Sequence, residues 1–140
     1  MADPLPGALA ALAGELQRRG FSIASDEANG VLFREVVFTH PDRTAGSTVR
    51  LIKDRGLWTA EIDIGDRSHD SWFLLLALNR EPYSRRAQSH AERLDVTLAA
   101  VDRLATATDA DLAELEERLD EFGREYRRQL GTETADGGRA

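Results

Sequence analysis

The sequence predicts an α+β domain that consists of an N-terminal helix, an antiparallel sheet of three or four strands, a short buried helix and a C-terminal antiparallel helical hairpin. Two patterns predict this class. Leucines recur at helical spacing near both ends of the chain, whereas apolar and polar residues alternate in its centre. The length of 140 residues suits one domain. We expect this domain over residues 1–130 and a flexible tail over residues 131–140.

The first helix is expected over about Pro4–Arg19. Asp3 followed by Pro4 is typical of an N-cap and the first helical position, and Gly20 is typical of the residue after a helix C-terminus. One face of this helix is apolar and consists of Leu5, Leu9, Leu12 and Leu16. This helical spacing predicts an amphipathic helix.

Three strands are predicted, at Val31–His40, Ser47–Asp54 and Leu57–Ile64. Phe21–Ala24 is either a fourth strand or the exit from the first helix, and "SDEANG" after it is expected to be a turn. Apolar residues occupy both alternating sets of Val31–His40, which indicates burial on two sides or a bulge and leaves the register open. In the last strand the apolar side consists of Trp58, Ala60, Ile62 and Ile64, so one face of the sheet is expected to be wet.

Helical patterns return after the strands. "SWFLLLALN", beginning at Ser71, is apolar on all sides and predicts a short buried helix. A long helix is expected at about Ser84–Leu104 and a last one at about Asp109–Leu130. Thr108 and Asp111 match the capping-box pattern that begins a helix. Because the connector is short, these two helices are expected to form the antiparallel hairpin.

Composition restricts the classes of function. The chain has no cysteine, which excludes disulfides, thiolate metal sites and cysteine nucleophiles. Its net charge is -7 and its pI about 5.0, so no general basic field exists for a phosphate backbone and we expect no nucleic-acid binding. The longest apolar run, Phe73–Leu78, is too short to span a bilayer, so we expect no membrane association and a cytoplasmic location.

The stretch "GLWTAEIDIGDRSHDSW" concentrates carboxylates and a histidine, namely Glu61, Asp63, Asp66, His69 and Asp70. Oxygen-rich clusters can bind divalent metals, but this spacing matches no metal-binding loop. A wet strand face, a turn and a helix cap account for these residues, so we predict no metal and no cofactor. The other histidines, His40 and His90, complete no catalytic or metal-binding spacing, and we predict a protein that is not an enzyme.

The last helix has an acidic outer stripe. Its like-charge pairs at a spacing of four residues, such as Glu117 with Glu121, are each unfavourable by about 0.2–0.5 kcal/mol. Such a stripe is either a solvated face or a surface for a basic protein partner. The candidate partner-binding residues are Glu61, Asp63, Asp66, Asp70, Glu117, Asp120 and Glu121.

The hairpin strand "GLWTAEIDIGD", the acidic turn and "DSWFLLLALN" together resemble the small acidic bacterial immunity proteins of polymorphic toxin systems. The resemblance covers about residues 47–80 and transfers no residue roles. It implies a non-enzymatic inhibitor of a toxin domain. Two alternatives remain open: a small dimerising or chaperone-like domain, and an enzyme with an unrecognised histidine–carboxylate site. Monomer and homodimer are both compatible with the sequence.

Overall fold

The computed structural model describes the backbone of residues 4–138 and the side chains of residues 4–131. The chain is an α+β protein that begins with a helix, as predicted. The elements in chain order are α1 (Gly7–Arg18), β1 (Ser22–Asn29), β2 (Phe33–Thr39), β3 (Ala45–Asp54), β4 (Leu57–Ile64), β5 (Arg67–Asp70), α2 (Ser71–Leu78), α3 (His90–Leu104) and α4 (Asp109–Gly138).

The strands form one antiparallel sheet in the order β1-β2-β3-β4-β5, so each strand pairs with its neighbour in the chain. Within the described residues this is one strand more than the largest number expected. The segment "SDEANG", expected as a turn, lies largely within β1, and β5 lies where a loop was expected. Both are edge strands without a fully buried residue, so they lack the apolar alternation that identifies a strand in sequence.

The inner face of the sheet carries the core. Val36 and Phe38 of β2 are 1% and 0% exposed, which fixes the register that the sequence left open. Val37 on the other face is also buried, so the expected two-sided burial is confirmed. The bulge lies in β1, between Ile23 and Ser25, and not in β2. The core is completed by Val49, Leu51, Trp58, Ala60, Ile62 and Ile64.

The four helices of the described chain pack side by side in the order α1, α3, α2, α4. The predicted hairpin of the last two helices is matched only roughly, because α2 packs between α3 and α4. The physical reason is the composition of α2: it is apolar on all sides, so each long helix buries its apolar face against α2. None of the helices in residues 4–138 is both long and apolar enough to cross a membrane.

The helix boundaries differ from the expected ones at three places. α1 begins at Gly7 because Pro6 disfavours the helical conformation at the preceding residue; Asp3, the expected N-cap, lies outside the described residues. α3 begins at His90, so the preceding segment from Ser84 is not helical. α4 continues past Leu130 to Gly138, and the flexibility of residues 131–140 stays a prediction.

Candidate functional site

Glu61 and Asp63 lie on the outer face of the sheet, which points away from the helices. Each accepts hydrogen bonds from a residue on a neighbouring strand. Arg50 of β3 donates two hydrogen bonds to the Asp63 carboxylate, at 3.2 and 2.9 Å, and this contact raises the pKa of the guanidinium. Ser68 of β5 donates to Glu61 at 3.2 Å. Arg50 and Asp63 thus form a cross-strand charge pair. Both carboxylates therefore contribute to strand pairing.

Asp70 is the N-cap of α2. Its carboxylate accepts a hydrogen bond from the backbone N–H of Trp72 at 2.8 Å, as the expected capping role requires. Burial raises the pKa of this carboxyl, whereas the bond from Trp72 opposes the rise. Because the cap holds Asp70 in place, this residue is a poor candidate for contact with a partner.

An ion pair joins the sheet to the last helix. Arg67 of β5 donates to Asp120 of α4 at 2.8 Å, and the contact lowers the pKa of that carboxyl. Asp66 in the turn before β5 and Glu116 on α4 are close enough to raise the pKa of Arg67 further. We use the term acidic edge for this region, which consists of Asp66, Glu116, Glu117, Asp120 and Glu121.

Several carboxylates of the acidic edge have no partner among the residues that the structure describes. Asp66, Glu117 and Glu121 are exposed and form no ion pair or side-chain hydrogen bond with the described part of the chain. The structure thus brings the turn residue Asp66 together with the acidic stripe of α4. It keeps Glu61 and Asp63 apart from them on the outer sheet face.

The histidines lie in three different environments. His40 accepts a hydrogen bond from the Asp42 backbone at 3.1 Å and packs edge-on against Phe21. His90 is the exposed first residue of α3. His69 of β5 is half-buried beside α4. Among residues 4–138, no group of three or more His, Asp or Glu side chains is placed to hold a metal ion.

A groove of about 400 Å³ lies between β5, α2, the irregular segment 81–89 and α4. We call it the aromatic groove, because its walls include Phe73, Tyr83, Phe122 and Tyr126. The Phe73 and Tyr83 rings stack with centroids 5.5 Å apart, and Tyr83 lies 5.7 Å from Phe122 at a tilt of 60°. The sequence did not indicate this groove, because Tyr83 lies between the expected helices and its ring neighbour Phe122 is distant in the chain.

Two polar atoms of residues that line the aromatic groove are buried without a hydrogen-bond partner in the described part of the chain: Nε2 of His69 and the hydroxyl of Tyr83. Burial lowers the pKa of His69, so its imidazole is neutral at physiological pH. Buried polar groups in proteins are nearly always paired. The two atoms are therefore the most unusual polar feature of this surface.

A second exposed feature lies at the opposite end of the sheet from Asp66. Val31, Leu32 and Leu57 are 83%, 60% and 74% exposed, in or beside two hairpin turns that a bond from the Gly56 N–H to the Leu32 carbonyl connects at 3.2 Å. We call these three residues the apolar turn patch. Exposed apolar clusters often mark interaction sites.

The fold and these surfaces define an α+β domain in which helices cover one face of an antiparallel meander. No protein-family model matches the chain, and neither a curated protein nor a solved structure is significantly similar to it. Its function is therefore inferred from its own surfaces.

Proposed function

We propose that this chain is a non-enzymatic protein-binding module that contacts a basic partner through the acidic edge. The observation that carries the proposal is the ion pair between Arg67 and Asp120, which draws the Asp66 turn beside the acidic stripe of α4. One surface then combines carboxylates from two elements. Three of them, Asp66, Glu117 and Glu121, are left unpaired by the described part of the chain.

Electrostatics gives this surface a physical advantage in binding. Glu117 and Glu121 repel each other across one helical turn, and a basic partner would relieve that repulsion. The net charge of -7 adds long-range attraction, which accelerates encounter with a positively charged surface. The partner is thus expected to be a protein with a basic cleft or patch.

A narrower form of the proposal is that the chain is an immunity protein that neutralises a toxin domain. Support comes from the resemblance over about residues 47–80 and from the acidic edge, since a toxin that acts on nucleic acid needs a basic cleft. Asp66, Glu117, Asp120 and Glu121 are the contact residues of first choice. We expect a smaller contribution from Glu61, Asp63 and Asp70, because their carboxylates already accept hydrogen bonds within the sheet or at the N-terminus of α2.

The test begins with a pull-down by the product of the adjacent gene, followed by binding kinetics at low and high salt. The double variant Glu117→Lys/Glu121→Lys should slow association several-fold at low salt and leave dissociation nearly unchanged. The matched control is Glu27→Lys/Asp95→Lys, which changes the net charge equally at exposed positions on β1 and α3. The control should have the smaller effect.

The acidic edge is the wrong surface if both double variants slow association equally, or if association ignores salt. The apolar turn patch favours the second candidate function, a small dimerising domain. Sedimentation over a range of concentrations checks this alternative. If the wild type sediments as a dimer and the double variant Val31→Ser/Leu57→Ser as a monomer, the result would favour a dimerising domain and not partner binding through the acidic edge.

A further inference from the structure

We propose that the aromatic groove binds a small, neutral molecule with a planar apolar body and one hydroxyl-type hydrogen-bonding group. This inference goes beyond partner binding and does not depend on it. The groove, at about 400 Å³, has the size of a small-molecule site, and its lining has the composition of one: aromatic walls with a few polar groups.

The apolar body of the ligand follows from the walls. Phe73 and Tyr83 lie nearly parallel, with an interplanar angle of 13°, and Phe122 is inclined to Tyr83. Aromatic side chains prefer stacked and edge-to-face neighbours, so a flat ring is the shape that extends this arrangement. A flexible aliphatic chain would gain less from the same walls.

The polar group of the ligand follows from the two unpartnered atoms. The Tyr83 hydroxyl can donate and accept, and Nε2 of the neutral His69 imidazole can do one or the other, according to its tautomer. A ligand hydroxyl also donates and accepts, so it can bond to either residue whichever tautomer the imidazole adopts. Leaving such atoms buried and unbonded is costly, and a bound hydroxyl removes that cost.

The neutral charge of the ligand follows from the rim. Arg67 is engaged by Asp120 at 2.8 Å, and the Arg85 guanidinium lies over the Tyr126 ring at 5.4 Å from its centroid. Both of these arginines therefore already contact other groups of the chain and are not placed to pair with an anionic ligand. The neighbouring acidic edge disfavours an anion in the groove.

The probes for the test are 2-naphthol, naphthalene, which lacks the hydroxyl, and 2-naphthoate, which carries a negative charge. Binding is followed by the imidazole NMR signals, because the chain has three histidines and His90 is an exposed internal control. 2-Naphthol should shift the His69 signals saturably and leave those of His90 unchanged. Naphthalene should bind roughly five- to tenfold more weakly, the loss expected for about one hydrogen bond.

Two variants separate the groove from the fold. Gly123 of α4 lines the groove, and a Cβ there would meet only Arg127, at 3.5 Å. Gly123→Leu should fill the groove and abolish binding, whereas Gly131→Leu, at a helical glycine with nothing within 4 Å of its Cβ position, should leave binding intact. Tyr83→Phe should weaken 2-naphthol binding and leave the unliganded melting temperature equal or higher, because it removes an unpaired hydroxyl.

Several results would overturn the proposal. They are the absence of a saturable His69 shift, equal affinity for naphthalene and 2-naphthol, tighter binding of 2-naphthoate, and unchanged binding in Gly123→Leu. A lower melting temperature of unliganded Tyr83→Phe would also count against it, since the hydroxyl would then have a partner such as an ordered water.

Discussion

The Ser71 and Thr97 hydroxyls meet inside the helical layer, where α2 contacts α3. The Thr97 hydroxyl donates to the Ser71 oxygen at 3.0 Å, and the two residues are 0% and 1% exposed. Each of these buried hydroxyls therefore has a hydrogen-bond partner inside the protein. The pair also favours one alignment of α2 against α3, because a shift of either helix would leave both hydroxyls unbonded.

We predict that Thr97→Val lowers the free energy of unfolding by about 1–3 kcal/mol, because the Ser71 hydroxyl is then buried without a partner. The double variant Ser71→Ala/Thr97→Val should recover part of this loss, since both polar groups are gone. Chemical denaturation of Thr97→Val, Ser71→Ala, the double variant and the wild type measures the differences. A double variant that is as unstable as the sum of both single ones would show that the bond matters less than the packing.

The two tryptophans show how far sequence reasoning reaches for single residues. Both were expected in the core. Trp58 is 8% exposed and belongs to it, as alternation along β4 predicts. Trp72 is only half-buried, and its indole N–H donates to the Ser84 carbonyl at 2.8 Å. An all-apolar helix has no periodic face, so its sequence could not indicate which side chain would reach outward.

At the scale of elements, the start of α3 shows a competition between two signals. Apolar residues recur at helical spacing from Ala87 to Val101, and this pattern favoured a start near Ser84. In the structure α3 begins instead at the capping box of Ser89 and Glu92. The Glu92 N–H donates to the Ser89 hydroxyl at 3.1 Å, and the Ser89 N–H donates to the Glu92 carboxylate. The segment before it is held in irregular form by tertiary contacts of Tyr83 and Trp72.

We predict that Ser89→Ala lowers stability by about 1 kcal/mol, the usual cost of losing an N-cap side chain. Ser84→Ala is the matched control and should change stability by less than about 0.5 kcal/mol, because that side chain is exposed and caps nothing. Thermal or chemical denaturation compares them. If Ser84→Ala is the more damaging change, α3 begins where the sequence pattern placed it.

At the scale of the whole molecule, the contact between the sheet and the helical layer depends on Gly46. This residue of β3 has φ +67, and a Cβ there would lie 2.9 Å from Cδ1 and 3.3 Å from Cβ of Leu104, at the end of α3. Leu104 is 3% exposed and has little room to move. The glycine thus allows the close approach of two elements far apart in the chain.

We predict that Gly46→Ala destabilises the protein more than Gly56→Ala. Both residues have positive φ, which costs an alanine about 1–2 kcal/mol, but nothing lies within 4 Å of a Cβ at Gly56. The additional overpacking against Leu104 should cost at least about 1 kcal/mol more. Urea denaturation of both variants measures the excess, and equal effects would show that Leu104 repacks without strain.

The sequence by itself determined the class and much of the local structure: the N-terminal helix, the tight turn at Arg55 and Gly56, the alternation of β4, and the Thr108–Asp111 capping box. These features depend on side chains a few residues apart, whose periodicity is visible in one dimension. The tertiary structure decided the rest. Packing brings together residues that are far apart in the chain, and three features depend on this. They are the placement of α2 between α3 and α4, the ion pair of Arg67 that brings Asp66 beside the α4 carboxylates, and the groove around His69 and Tyr83. A local pattern records which face of an element is apolar, but it does not record which other element will cover that face.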